Sequence, residues 1–384
     1  MSVTYPRGFT ASGVAAGLKS NGNPDVALVA NLGPTFSCSA VFTSNRCKAN
    51  PVLWSIEAVK DQQAKAVVLN SGGANCYTGP YGFQTTHQSA ELVATLLNCS
   101  AQDVLVCSTG IIGEQLDREK LLQGIESAQL ALSEQGGESA ARAIMTTDSV
   151  PKLSQAQSPA GWRIGAMAKG AGMLAPALAT MLVVITTDAL VDAELLDAAL
   201  RKAVSKSFDR LDSDGATSTN DQVTLMASGA SGIAPDAREF EELLEQVCLD
   251  LARQLMSDAE GASHNIYLEV VSAASEEDAV EVARAVARNN LFKTAIFGND
   301  PNWGRILAAI GTTKAAFDPY NIDVFINGIL ISSQGAPAED RSTVDLSPRD
   351  VKIKIDLHSG SQSATVMTND LTLAYVQENS AYSS

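Results

Sequence analysis

Cationic and aromatic residues are scarce: Lys and Arg total 27 against 43 Asp and Glu, the formal charge is −16, and aromatics make up 5%. That charge opposes nucleic acid and anionic membranes, because phosphate binding is driven by Lys/Arg neutralisation and counterion release. Histidine is scarcer still, with only His87, His264 and His358, each read as a surface or strand residue. Without a GxSxG or HExxH spacing, there is no sequence-local case for a Ser-His-Asp triad or a zinc hydrolase. The six cysteines (Cys38, Cys47, Cys76, Cys99, Cys107 and Cys248) form no CxxC pair, which argues against a zinc knuckle or a dense disulfide framework and for free, mostly buried thiols. Long apolar runs are missing too: the most apolar stretch, 171–185, contains Pro176 and falls short of the roughly 18 residues of a membrane span. The N-terminal segment lacks a charged region followed by an apolar one, so no secretory signal is read and a cytoplasmic protein is expected.

What is present is an Ala/Val-rich chain of 384 residues, 45% hydrophobic, long enough for two domains or one large α/β unit. Short β-rich runs are read at 26–32, 40–43, 66–70, 104–108, 181–187, 223–227, 266–271, 322–326, 351–357 and 364–368. Helical stripes fall between some of them. Phe240, Leu243, Leu244, Val247, Cys248, Leu251 and Leu255 share one helix face, and 191–208 and 276–290 carry similar faces. Alternating strands and helices predict α/β layers, and the period-two pattern of 351–357 predicts a half-exposed antiparallel sheet in a strand-rich C-terminal part. Loop-like stretches at 155–162 and 332–341 are read as joints.

Most local motifs have plain readings. Residues 170–175 match a loose GxGxxA dinucleotide fingerprint, with a strand read before it at 163–168. That motif must open a crossover helix of about a dozen residues, which Pro176 and the run from Met181 deny. Residues 212–221 resemble a calcium loop, but Ala216 stands at a ligand position and no Glu closes it, so an Asx/Ser-rich turn is the reading. Residues 300–305 read as a turn and helix start, and Cys107 as a packed thiol rather than a nucleophile. Ser108-Thr109-Gly110 is more telling: a Gly-bearing turn past a strand leaves N–H groups unpaired and permits close approach, as an oxyanion site requires. Thr180, between a Gly/Pro/Ala-rich lead-in and an apolar run, is either a turn-capping residue at a strand start or a nucleophile. With no histidine to activate it, the second reading requires cutting the preceding bond, so that its own α-amine, with an unperturbed pKa of roughly 7.7–8.0, serves as base.

At this point the residues resemble the ornithine acetyltransferase (glutamate N-acetyltransferase) family of arginine biosynthesis. The segment 169–182 is similar to that family's self-cleavage region, and 70–75, 108–110, 144–148, 218–221, 258–261, 300–305 and 379–384 follow in family order. The resemblance implies layered β-sheets flanked by helices, similar to the DmpA/ornithine acetyltransferase fold and superficially N-terminal-nucleophile-like. It implies autocleavage between Ala179 and Thr180 into an α chain, 1–179, and a β chain, 180–384, with two of each in a heterotetramer. Thr180 would carry acetyl from N2-acetylornithine to glutamate in a ping-pong cycle, with Thr109 and Gly110 as oxyanion-hole pair. Substrate contacts would fall to Thr146 or Thr147, Lys169, Thr180, Glu260, Asn379 and Ser384, tying down a tail that looks disordered by composition. No cofactor or metal is implied, with acetyl-CoA as a candidate second acetyl donor. Ala171, Ala177 and Ala216 depart from the family pattern, and an amidase or aminopeptidase with a threonine nucleophile is the alternative on the same fold.

Overall fold

The computed structural model describes residues 2–173 and 181–381. They form two compact units, one of residues 2–171, 181–209 and 217–255, the other of 172–173, 210–216 and 256–381.

The first unit holds two sheets. One has four strands in the order Phe9–Val14, Val26–Asn31, Ala66–Asn70 and Val104–Ser108, the last pair parallel and the others antiparallel. Its middle strands are buried on both faces, which is why they read as unbroken apolar runs. The pleat sends alternate side chains in opposite directions. Val26, Leu28, Val68 and Val106 pack with Val93 of helix Gly79–Leu97 and Ile125 of helix Arg118–Leu130. Ala27, Val29, Leu69 and Leu105 join a separate core with Met167, Leu182, Val184 and Met226. Those last four belong to the second sheet, ordered Ser37–Phe42, Gln222–Ala227, Leu182–Thr187, Arg163–Lys169 and Lys152–Gln157. Only the pairing of Leu182–Thr187 with Gln222–Ala227 is parallel there.

In the second unit, six strands run in the order Ala336–Pro337, Ile329–Ser333, Asp323–Ile326, Asp350–Asp356, Asn265–Ala273 and Gln362–Asn369. Val351, Ile353 and Ile355 are buried while Lys352 and Lys354 face outward, as period two requires. The sheet is mixed, however: Asp350–Asp356 runs parallel to Asn265–Ala273, because the chain returns to it through helices and the Asp323–Ser333 hairpin. Helices Glu276–Ala287, Asn290–Phe297 and Trp303–Ile310 share the sheet's core. Asn302 accepts from the Arg305 amide at 3.3 Å, so 300–305 is the turn and helix start read from sequence.

Several expectations shift. Helix Ala237–Ser257 buries six of its seven stripe residues and leaves Leu243 half-buried. Stretches 155–162 and 332–341 are not joints. The first ends the strand Lys152–Gln157 and turns back into Arg163–Lys169, and the second contains the hairpin of Ile329–Ser333 with Ala336–Pro337. The tail is ordered further than its composition suggests, since Leu373–Ala381 is a helix. His264 is buried, its Nδ1 2.8 Å from Asp370 Oδ2 and its Nε2 3.0 Å from the Leu346 carbonyl. All six cysteines are free, four of them buried. No helix among the described residues is long and apolar enough to cross a membrane.

Candidate active site

Strand Val104–Ser108 ends in register with Asn70 of its parallel neighbour, and the turn that follows is locked from both sides. The Thr109 amide donates to the Asn70 carbonyl at 2.9 Å, and the Gly73 amide donates to the Thr109 carbonyl at 3.0 Å. Asn70 Nδ2 donates to the Gly73 carbonyl at 3.1 Å, while its Oδ1 accepts from Ser108 Oγ at 2.5 Å. Gly110 has φ +130°, and a Cβ there would lie 2.8 Å from Gly73 Cα, so only glycine fits this approach. The expectation of unpaired amides needs correction at Thr109: its N–H is taken by Asn70, and what it offers is the hydroxyl.

That hydroxyl is approached by a buried cation. Lys169, 1% exposed at the end of strand Arg163–Lys169, donates from Nζ to Thr109 Oγ1 at 3.2 Å. A hydroxyl has one proton and two lone pairs, so with one pair engaged by Lys169 the Thr109 proton is free to point at a third group. Next along the chain, the Gly170 amide donates to Asp148 Oδ1 at 2.7 Å. Asp148 is buried, accepts from Lys152 Nζ at 2.5 Å on the same oxygen, and takes the Thr146 amide on Oδ2 at 2.9 Å. Burial works against its charge, but Lys169 and Lys152 outweigh it and hold the carboxyl below the usual carboxylate range. Of the two candidate threonines, Thr146 is thus tied to this network and half-buried, while Thr147 is exposed. Lys19 completes the cationic side, donating to the Met145 carbonyl at 2.7 Å. Burial pushes its ammonium below the usual lysine range, as does Lys169, despite Asp25 and Asp148.

The parallel strands Leu182–Thr187 and Gln222–Ala227 start at the same edge of their sheet. There the Met181 amide donates to Asp221 Oδ1 at 3.0 Å. Asp221 is fully buried, and burial pushes its carboxyl well above the usual range. Cys107, buried too, has its thiol pushed far up by desolvation, consistent with packing rather than nucleophilic chemistry.

Within the second unit, Glu260 lies so close to Gly172 that a Cβ on the glycine would meet its Oε2 at 2.6 Å. It lines a cavity of about 310 Å³ together with Asp214, Arg288, Lys293, Asn369 and Tyr375. Lys293 Nζ donates to the Ser213 carbonyl and to Thr368 Oγ1, and burial pushes it down to about 8 against the pull of Asp212, Asp214 and Asp370. Asn379 stands exposed in the C-terminal helix, donating to the Tyr375 carbonyl at 3.0 Å. Thr180, Ala179 and Ser384 lie outside the described residues, as do 174 and 175 of the loose dinucleotide motif.

The structure therefore brings together Thr109, Gly110, Lys169 and Thr146, and places Glu260 and Asn379 in the other unit. Sequence reading passed over the roles of Asn70, Asp148, Lys152 and Asp221. Asn70, Asp148 and Asp221 fall in segments that follow the family order, and Asp148 and Lys152 also stand four residues apart as opposite charges in a segment with few others.

In comparisons with known proteins, the ArgJ family model matches residues 10–384. The Streptomyces avermitilis protein named arginine biosynthesis bifunctional protein ArgJ is 59% identical over 384 residues, covering all of both chains. The protein of that name from Thermobifida fusca is 59% identical over 383 residues, again covering both chains fully. A crystal structure of ornithine acetyltransferase complexed with ornithine, from Mycobacterium tuberculosis, is 49% identical, with a TM-score of 0.45 over 46% of this chain and 94% of that one.

Proposed function

The chain belongs to the ArgJ family, and from that membership we propose that it is a self-processing acetyltransferase of arginine biosynthesis that moves acetyl from N2-acetylornithine to glutamate. The observation that carries the reading is the buried Lys169 ammonium, 3.2 Å from the Thr109 hydroxyl and beside the left-handed Gly110 turn. These are electrophilic groups fixed before any substrate arrives, which is the condition for stabilising charge that develops on an acyl oxygen.

In the proposed course, the Thr180 hydroxyl attacks the Ala179 carbonyl, the Ala179–Thr180 amide breaks, and water hydrolyses the resulting ester. The chain end so exposed carries its own base, the Thr180 α-amine. In turnover the hydroxyl attacks the acetyl carbonyl of acetylornithine, ornithine leaves with the proton the amine had taken, and an acetyl-Thr180 ester remains. The amine of glutamate then attacks the ester and carries acetyl away. Thr109 and Gly110 stabilise the oxyanion in each step. Lys169 pairs with a substrate carboxylate, Glu260 receives the ornithine ammonium, and Thr146, Asn379 and Ser384 complete the substrate contacts. The relatives' word "bifunctional" supports acetyl-CoA as a second donor to glutamate. A cytoplasmic heterotetramer of two α and two β chains belongs to the same proposal.

The purified protein is expected to run as two fragments on a denaturing gel, with Thr180→Ala leaving one full-length band and no turnover. Acetylglutamate should accumulate from acetylornithine and glutamate, and separately from acetyl-CoA and glutamate. An uncut parent, a fully active Thr180→Ala protein, or acetate released in place of acetylglutamate would refute the reading.

A further inference from the structure

Two side chains consecutive in the sequence reach the two halves of the proposed site. Asn220 and Asp221 precede strand Gln222–Ala227, and Met181 precedes its parallel neighbour Leu182–Thr187. Parallel neighbours begin at the same sheet edge, so Asp221 lies alongside Met181 and its Oδ1 takes the Met181 amide at 3.0 Å. That nitrogen belongs to the peptide bond that follows residue 180. Asn220 turns the other way, donating from Nδ2 to the Ser108 carbonyl at 2.8 Å and to the Ala74 carbonyl at 2.6 Å. The Ser108 carbonyl is one end of the planar peptide unit whose other end, the Thr109 N–H, is held by Asn70. With both ends bound, the plane that leads into Thr109 and Gly110 has no rotation left to it.

We propose that Asn220 and Asp221 are positioning residues, a dipeptide brace that sets the Met181 amide in register with the Thr109–Gly110 turn. The inference rests on the acetyltransferase reading above. Both residues are buried, Asp221 completely and Asn220 with 4% exposure, and both ends of the Asn220 amide are engaged, its Oδ1 accepting from Thr219 Oγ1 at 2.6 Å. The backbone is anchored as well, with the Thr43 amide donating to the Asp221 carbonyl at 3.1 Å. Buried hydrogen bonds of this kind hold the backbone they grip to one geometry, and displacements of about 1 Å at a reacting centre cost up to roughly 100-fold in rate. Neither residue needs to touch substrate for this effect.

The test uses the full-length chain. Asn220→Ala removes both donors, and Asp221→Ala removes the acceptor for Met181. Each is expected to slow self-cleavage, followed by the appearance of an N-terminus at Thr180, by about tenfold or more. In the cleaved fraction kcat should fall while KM for acetylornithine stays within about twofold. Asp221→Asn keeps an oxygen acceptor for the Met181 amide in nearly the same shape, so it should restore cleavage and kcat to within about threefold of the parent. Circular dichroism melting separates folding from positioning. Should Asn220→Ala fail to fold, Thr219→Val removes only the hydroxyl that steadies Asn220, and a lowered kcat at unchanged KM is expected from it. Parental cleavage and kcat in folded variants would overturn the brace alone, as would a loss in KM with kcat intact. A parent that is neither cut nor active would overturn the brace together with the reading it rests on.

Discussion

Asp148 illustrates how one buried carboxylate organises a site it need not react in. It binds Lys152, the Gly170 amide and the Thr146 amide, and it lies in the field of Lys169. Because its folded pKa is depressed, its contribution to stability is present above the unfolded carboxylate value, about 3.9, and is lost as pH falls through the folded value. Asp148→Asn removes the charged end of the buried 2.5 Å pair with Lys152, so a loss of about 1.5–3 kcal/mol is expected at pH 7. Urea melts at pH 7 and pH 3 check this: the gap between variant and parent should narrow at the lower pH. None of this network was legible as such. The glycine turn past a strand pointed to Thr109 from local features, whereas Lys169 came only through the family resemblance of 169–182. Lys152 and Thr146 are near Asp148 in sequence, but Gly170 and Lys169 come from another strand end, and no spacing rule joins them to it. The Thr109 amide was misread for the same reason, since Asn70, which occupies it, lies 39 positions earlier.

At the scale of elements, strands with apolar runs were readable because burial on both faces leaves little choice of residue. Phe9–Val14 and Lys152–Gln157 were not. The first carries Thr, Ser and Gly among small residues, and both lie at sheet edges, where pairing on one side rather than side-chain pattern holds the strand. The C-terminal helix Leu373–Ala381 shows another kind of dependence. It has no buried residues of its own. Its start is tied by Thr372 Oγ1, which donates to the Gly261 carbonyl at 2.6 Å and accepts the Tyr375 amide at 2.9 Å. Gly261 has φ +61°, and a Cβ on it would sit 2.2 Å from Tyr375 N. Gly261→Ala is therefore expected to detach this helix, seen as faster proteolysis between 371 and 381, with a stability loss of about 1–3 kcal/mol. Under the proposed function it should also raise KM, because Asn379 rides on that helix.

For the whole molecule, the acidic charge bears on solubility and partners, whereas the order of strands bears on processing. In the five-stranded sheet, Ser37–Phe42, Arg163–Lys169 and Lys152–Gln157 precede the proposed cut, and Gln222–Ala227 and Leu182–Thr187 follow it. Main-chain pairing across Lys169 and Leu182, and across Ser37 and Ala227, thus links residues that cleavage would assign to different chains. Fragments arranged in this way should co-elute under native conditions and separate only in denaturant.

Such interleaving changes the molecularity of refolding. An uncut Thr180→Ala polypeptide diluted from urea regains its sheet by a first-order process, indifferent to protein concentration. The severed form must find its other half by diffusion, so its recovery should rise with concentration and fail at high dilution. Maturation would then make assembly a one-way event, secured while the two halves still share a backbone.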